Sequence, residues 1–169
     1  MAEYWDIYDE NRNKTGALHR RGDPLGPGER HLGVEIWTLD GQGRVLLTRR
    51  DLRKHFGGLW ECTGGSALAG EDSRTAVRRE LREETGATAE RWTSLGLFYP
   101  ACAYSDEAIE MYLAQGLHFG ERHLDADEFL NVARVPLTEL VEEVMAGRIP
   151  DAKTQIAILK ADRLLNGAQ

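Results

Sequence analysis

Apolar and polar residues alternate weakly from Tyr4 to Tyr8, then give way to the turn-forming run Asp9-Glu10-Asn11-Arg12-Asn13. This pattern predicts a hairpin whose returning strand is Thr15 to Arg20. Arg21 to Gly28 holds Pro24, Pro27 and several glycines and reads as a loop. His31 to Leu39 reads as a strand carrying Val34, Ile36 and Trp37. Asp40-Gly41-Gln42-Gly43 is a hairpin turn signal leading to a partner strand, Val45 to Thr48. Asp51 to Gly58 reads as a polar loop, and Trp60 to Thr63 as a short strand running into Gly64-Gly65.

From about Asp72 to Thr85 the period becomes helical, and Gly86 is placed to end the helix. Val77 and Leu81 fall on one side of it. Beside them Glu80, Glu83 and Glu84 span an arc of roughly 100°. Carboxylates that close repel one another unless water or a cation answers them, and hard divalent cations such as Mg²⁺ take oxygen ligands of this kind. Further strands are predicted at Thr93 to Tyr99, Ala108 to Gly116 and Phe129 to Val135. Helices follow at about Leu137 to Ala146 and Asp151 to Leu165, the first set off by Pro136. The alternation predicts an α/β fold: a mixed β-sheet sandwiched between helices, α/β/α, with an N-terminal β-hairpin extension. The glutamates then lie at the margin of a buried face, in a cleft between helix and sheet.

Composition narrows the partners. A chain of 169 residues predicts a single domain over 1–169, with the hairpin extension and its loop in 1–28. The formal net charge of -7 argues against a nucleic-acid polymer held by a basic surface, though not against a small phosphorylated substrate. Cys62 and Cys102 form neither a disulfide framework nor a metal-binding spacing, so a reducing, cytoplasmic setting is expected. No basic region followed by an apolar run marks the N-terminus, and no apolar run approaches membrane-spanning length. No membrane partner is expected.

The segment 65–87 resembles the Nudix box, the signature of Nudix hydrolases: Gly, five residues, Glu, seven residues, then Arg-Glu-aliphatic-x-Glu-Glu-x-Gly-aliphatic. The matching positions are Gly65, Glu71, Arg79, Glu80, Leu81, Glu83, Glu84, Gly86 and Ala87. Ala87 departs only in being smaller than the usual aliphatic residue. The resemblance implies Mg²⁺, replaceable by Mn²⁺, and hydrolysis of a diphosphate linkage in a small molecule. It implies Glu80 and Glu84 as the main metal ligands, Glu83 binding metal directly or through water, and a backbone carbonyl near Gly65 joining them. Arg79 would orient a glutamate through a charge-assisted bond, and with Glu80 and Glu83 it completes the catalytic set. Glu71 would cap the helix N-terminus or coordinate a further metal. The general base would be a box glutamate or a later carboxylate, with Asp125, Asp127, Glu128, Glu107 and Glu110 as candidates. Nudix proteins are often homodimers.

Trp5-Asp6-Ile7-Tyr8-Asp9-Glu10-Asn11, then Thr15-Gly16, then Gly28-Glu29-Arg30-His31-Leu32, resembles the opening of the isopentenyl-diphosphate-isomerase-like branch. The isomerase uses a cysteine just before the box glycine, where this chain has Gly64, and a histidine just after it, where this chain has Ser66. His31 stands where another histidine ligand would be, and Cys62 lies two residues before Gly64. All four box glutamates are kept, which points to hydrolysis rather than isomerisation. It also points away from a noncatalytic binding module. A nucleoside diphosphate derivative is the expected substrate class. Arg49, Arg50, Arg53 and Lys54 could meet phosphate, and Trp37, Trp60, Phe98 and Tyr99 could stack on a base or fill the core.

Overall fold

The computed structural model describes residues 2–53, 55–100, 103, 107–121 and 131–167. An N-terminal antiparallel hairpin comes first, β1 (Tyr4–Tyr8) with β2 (Lys14–Arg20). The core strands are β3 (Gly33–Leu39), β4 (Arg44–Arg49), β5 (Trp60–Glu61) and β6 (Thr63–Ser66). Helix α1 (Ser73–Thr85) precedes β7 (Ala87–Phe98) and β8 (Ile109–Phe119). The chain ends in β9 (Asn131–Pro136), α2 (Leu137–Met145) and α3 (Ala152–Asn166).

Two core sheets form where one was expected. A mixed four-stranded sheet runs β6-β3-β8-β7, with β3 and β8 parallel, and an antiparallel three-stranded sheet runs β5-β4-β9. The predicted hairpin between β3 and β4 is therefore only a turn. Asp40 closes it, its backbone N–H donating to the Arg44 carbonyl at 2.9 Å, and the two strands then part into different sheets. Thr38 bridges the parting: its buried hydroxyl oxygen accepts the Leu46 N–H at 2.9 Å, where a ladder bond would otherwise stand.

The predicted strand 60–63 likewise divides. Cys62 donates its backbone N–H to Thr154 Oγ1 on α3 at 3.1 Å, so β5 joins one sheet and β6 the other. The strand expected from Thr93 begins earlier, at Ala87. Gly86 takes the left-handed conformation (φ 70°) that ends α1 and turns the chain directly into β7. Ala87 is fully buried there, against the α1 side of the core.

Period-two alternation along β3 and β8 builds two cores. Val34, Ile36, Tyr112 and Ala114 meet Ala76, Val77 and Leu81 of α1. Trp37, Met111 and Leu113 meet Leu137, Leu140 and Val144 of α2 and Ala157, Ile158 and Ala161 of α3. Trp37 is thus a core residue and stacks on no ligand. Asp72 caps α1, its side chain accepting from the Thr75 N–H at 2.7 Å, so the cap is Asp72 and not Glu71. No helix among the described residues is long and apolar enough to cross a membrane.

Replacing Thr38 with Val keeps the shape but leaves the Leu46 N–H buried without its acceptor. The expected loss is about 1–3 kcal/mol, read from the midpoint of urea unfolding.

Candidate active site

Arg79 organises the box. Its Nε and Nη2 donate to the two carboxylate oxygens of Glu71, at 2.9 and 3.0 Å. Its Nη1 donates to Glu80 Oε1 and Glu83 Oε2, both at 3.0 Å, and Nη2 also donates to the Ser66 carbonyl at 2.9 Å. All five N–H groups of the guanidinium are therefore used, in the planar fork that only arginine offers. Burial works against its charge, but the carboxylates of Glu71, Glu80 and Glu83 outweigh burial and raise its pKa. Glu71 is thus a structural partner: besides holding Arg79, its Oε2 accepts the Leu68 N–H at 2.9 Å.

The glycines preceding the helix each make room for a carboxylate. A Cβ added at Gly65 would collide with the Glu80 carboxylate. One added at Gly64 would stand 2.6 Å from Glu35 Cδ and 2.7 Å from the Val34 carbonyl oxygen. Adjacent strand residues face opposite sides, so Glu80 and Glu35 lie on opposite faces of β6.

A cleft of about 570 Å³ wraps this strand, and Gly64, Gly65, Glu80, Glu84 and Glu35 all line it. That volume suits a small-molecule site. Burial raises Glu80 above the ordinary carboxylate pKa even though Arg79 opposes the rise. Glu84 Oε2 is shielded from solvent. Glu83 does not line the cleft; its side chain is 35% exposed and turned to Arg79. Among the described residues no three His, Cys, Asp or Glu side chains form a ready metal cage. The hard oxygen donors that face the cleft, two carboxylates beside the Gly65 backbone, nevertheless suit Mg²⁺, which keeps waters and takes substrate phosphates to complete its shell.

The other predicted residues separate. Glu107 lines the cleft. Glu110 faces a neighbouring cavity, paired with Arg12 at 2.7 Å. His31 lies in both walls, stacked on Trp5 with ring centroids 4.1 Å apart. Of the basic cluster, Arg50 lines the cleft and bonds Glu61 at 3.2 Å. Arg49 lies over the Trp60 ring and Arg53 pairs with Asp51. Tyr99 is exposed, and Phe98 packs partly buried against the α2–α3 core. Lys54, Cys102, Asp125, Asp127 and Glu128 lie outside the described residues.

Sequence reasoning missed a buried polar group on the α3 side of the cleft. Glu35 accepts from the Cys62 thiol at 3.0 Å, and Lys153 Nζ stands 2.8, 3.6 and 3.7 Å from Asp151, Glu61 and Glu35. Burial pushes Glu35 up to about 8, despite Lys153. A charge inside the apolar run Val34-Glu35-Ile36-Trp37 was the available signal; nothing comparable marked Lys153.

A glycine-backed acidic helix clamped by a buried arginine, on a mixed sheet between helices, is the architecture of the NUDIX domain. Residues 29–155 match that family, and the chain belongs to it. Nudix hydrolases act on small diphosphate compounds with a divalent metal. The chain is 42% identical over 88 residues to a Nudix hydrolase of Listeria innocua, covering 51% of this chain and 52% of the relative. It therefore spans about half the length of that relative. It is 32% identical over 156 residues to the ADP-ribose pyrophosphatase of Bacillus subtilis, covering 90% of this chain and 82% of that protein. It is 34% identical over 154 residues to isopentenyl-diphosphate Delta-isomerase 2 of Aromatoleum aromaticum, covering 85% and 78%. The fold matches the crystal structure of an ADP compounds hydrolase with TM-score 0.67 at 21% identity, covering 98% of this chain and 86% of that one.

Glu35 supplies a stability test. Its folded pKa of about 8 lies above the ordinary value of 4.5, so the folded state holds a proton that the unfolded chain has released. Stability through this group therefore falls as pH rises from the unfolded value through the folded one. Glu35→Gln removes the dependence. The melting temperature of the parent should drop relative to the variant by at least about 5 °C between pH 6 and pH 9, measured by calorimetry.

Proposed function

We propose that this chain hydrolyses a phosphoanhydride bond in a nucleoside diphosphate derivative, with Mg²⁺ as its metal and Mn²⁺ able to replace it. The observation that carries the reading is the convergence of Glu80 and Glu84 on one cleft beside Gly65, with Arg79 bonded to Glu71, Glu80 and Glu83. The name of the Bacillus subtilis relative makes ADP-ribose the first substrate to test. Glu80, Glu84 and the Gly65 carbonyl would hold the ion, with Glu83 reaching it through water. When bound, the ion neutralises phosphate charge and lowers the pKa of a coordinated water.

The chain's own groups do the remaining work. Arg79 fixes the rotamers of Glu80 and Glu83, so that two like charges sit side by side without repelling each other apart. Gly65 keeps the approach to Glu80 clear. Of the later carboxylates expected as general base, Glu107 lines the cleft, and it is our choice of acceptor for the proton of the attacking water. Arg50 and Lys153 supply positive charge along the same wall for the departing phosphate. The buried free thiol of Cys62 suits a reducing cytoplasm.

Isomerisation has less support. The cysteine that the isomerase places before the box glycine would fall at Gly64, where Glu35 already fills the space a Cβ needs.

Glu84→Gln should lower the conversion of ADP-ribose to AMP and ribose 5-phosphate by at least about 100-fold, with an unchanged melting temperature and circular dichroism spectrum. Parent-like turnover in this variant would sink the ligand assignment. Conversion of isopentenyl diphosphate to its isomer, with no phosphoanhydride bond cleaved in any nucleotide, would sink the hydrolase reading itself.

A further inference from the structure

Beside the box cleft lies a second cavity, of about 730 Å³, walled by the N-terminal hairpin, the start of α1 and the start of β8. The two cavities share His31, Gly33, Glu107 and Ile109. Gly33 and Ile109 are register partners at the beginning of the parallel pair β3–β8. A Cβ added at Gly33 would meet nothing within 4 Å, so the saddle between the cavities is open.

The far cavity carries a prearranged acceptor. Glu110 Oε1 takes a bond from Arg12 Nη2 at 2.7 Å, and Oε2 takes one from the Tyr112 hydroxyl at 3.2 Å. The Tyr112 hydroxyl in turn meets Ser73 Oγ at 2.7 Å. A carboxylate has about four acceptor sites, so each oxygen keeps capacity after these bonds. Burial raises its pKa, yet the bonds from Ser73, Arg12 and Tyr112 outweigh burial and keep it ionised. Arg12 reaches Glu110 from the hairpin tip with a left-handed backbone (φ 65°), a conformation that costs a non-glycine residue energy and gathers at functional sites. Apolar groups, Leu25, Leu32 and Ile109, complete the wall. A fixed, charged acceptor above an apolar floor suits a ribosyl group, whose vicinal hydroxyls donate in parallel to one carboxylate and whose carbon face needs cover.

We infer that the hairpin cavity holds a ribosyl group attached to the diphosphate, with Glu110 accepting from its vicinal diol. This rests on the diphosphate reading of the neighbouring cleft. Glu110 is then a specificity residue, and the N-terminal hairpin is part of the substrate site.

Equilibrium binding tests this apart from turnover. Titration calorimetry with Mg²⁺ present would compare α,β-methylene-ADP and ribose 5-phosphate, each with its 2,3-dideoxy form, the ribose phosphate reporting a sugar on the other side of the diphosphate. The parent should bind α,β-methylene-ADP or ribose 5-phosphate at least about tenfold more tightly than the matching form without the diol. Glu110→Gln should abolish that preference, weakening the diol compound and leaving the deoxy compound where it was. Should that variant unfold, Gly33→Leu blocks the saddle and should weaken α,β-methylene-ADP by a similar factor. No diol preference in the parent, equal weakening of both forms by Glu110→Gln, or parent-like binding by Gly33→Leu each overturns the inference. Hydrolysis of ADP-ribose without diol preference defeats the inference and spares the hydrolase; diol-selective binding without hydrolysis of any diphosphate does the reverse.

Discussion

Everything at this site hangs on one guanidinium. Glu71, Glu80 and Glu83 come from a loop and two successive turns of a helix, and their mutual repulsion would spread them. Arg79 meets all three and the Ser66 carbonyl as well, so loop, strand and helix are joined at a single planar group. Its side chain is only 18% exposed, which strengthens each bond and raises the cost of losing the group. Removing one partner of such a buried pair costs about 3–5 kcal/mol, since the remaining charges stay buried. Lysine could supply the charge but not the five directed donors, so the spacing of the box specifies arginine for a geometric reason.

The same clamp reaches outward to the hairpin. Lys14 bonds Asp6 at 2.6 Å and the Glu71 carbonyl at 3.4 Å. Asp6 accepts the Gly70 N–H at 2.8 Å, and the Tyr4 carbonyl accepts the Ala69 N–H at 2.8 Å. The loop that presents Glu71 to Arg79 is therefore held from outside by β1 and β2. The hairpin lies wholly N-terminal to the matched family region, which begins at residue 29, yet it braces the loop at the heart of the motif. This is why an extension of 28 residues belongs to the account of the site.

The sequence showed the helix and its carboxylates plainly, because helical spacing, the glycine stop and the acidic residues lie within about twenty consecutive positions. Long-range partnership was illegible. Nothing local says that β3 and β4 part company, since the turn between them has good hairpin chemistry; the decision is made by the partners each strand finds, β8 and β6 for one, β9 and β5 for the other. The Thr38 bond that repairs the gap depends on a contact no motif encodes. Glu35 was visible as a lone charge in an apolar strand, but its meaning came from Cys62 and Lys153, which the fold brings from 27 residues away and from α3. Glu83 is a different case. Its i,i+4 spacing to Arg79 allowed either a pair with that arginine or a place at the metal, and the side-chain directions show the pair with Arg79.

The paired glycines join these strands of reasoning. Gly65 clears space for Glu80 on the helix side of β6, and Gly64 clears space for Glu35 on the other. A cysteine at position 64, as in the isomerase, would need its Cβ where the Glu35 carboxyl now stands. In this chain the Glu35 carboxyl and the Val34 carbonyl take up that space from β3. Lys153 lies within 3.7 Å of the same buried acid. The thiol this chain does possess, Cys62, is buried and bonded to that same acid, where burial and the neighbouring charge of Glu35 hold its pKa well above the ordinary thiol value. A thiol kept protonated in that way is a poor nucleophile. The groups this wall of the cleft offers are therefore charges and hydrogen-bonding atoms, with no reactive thiolate among the described residues.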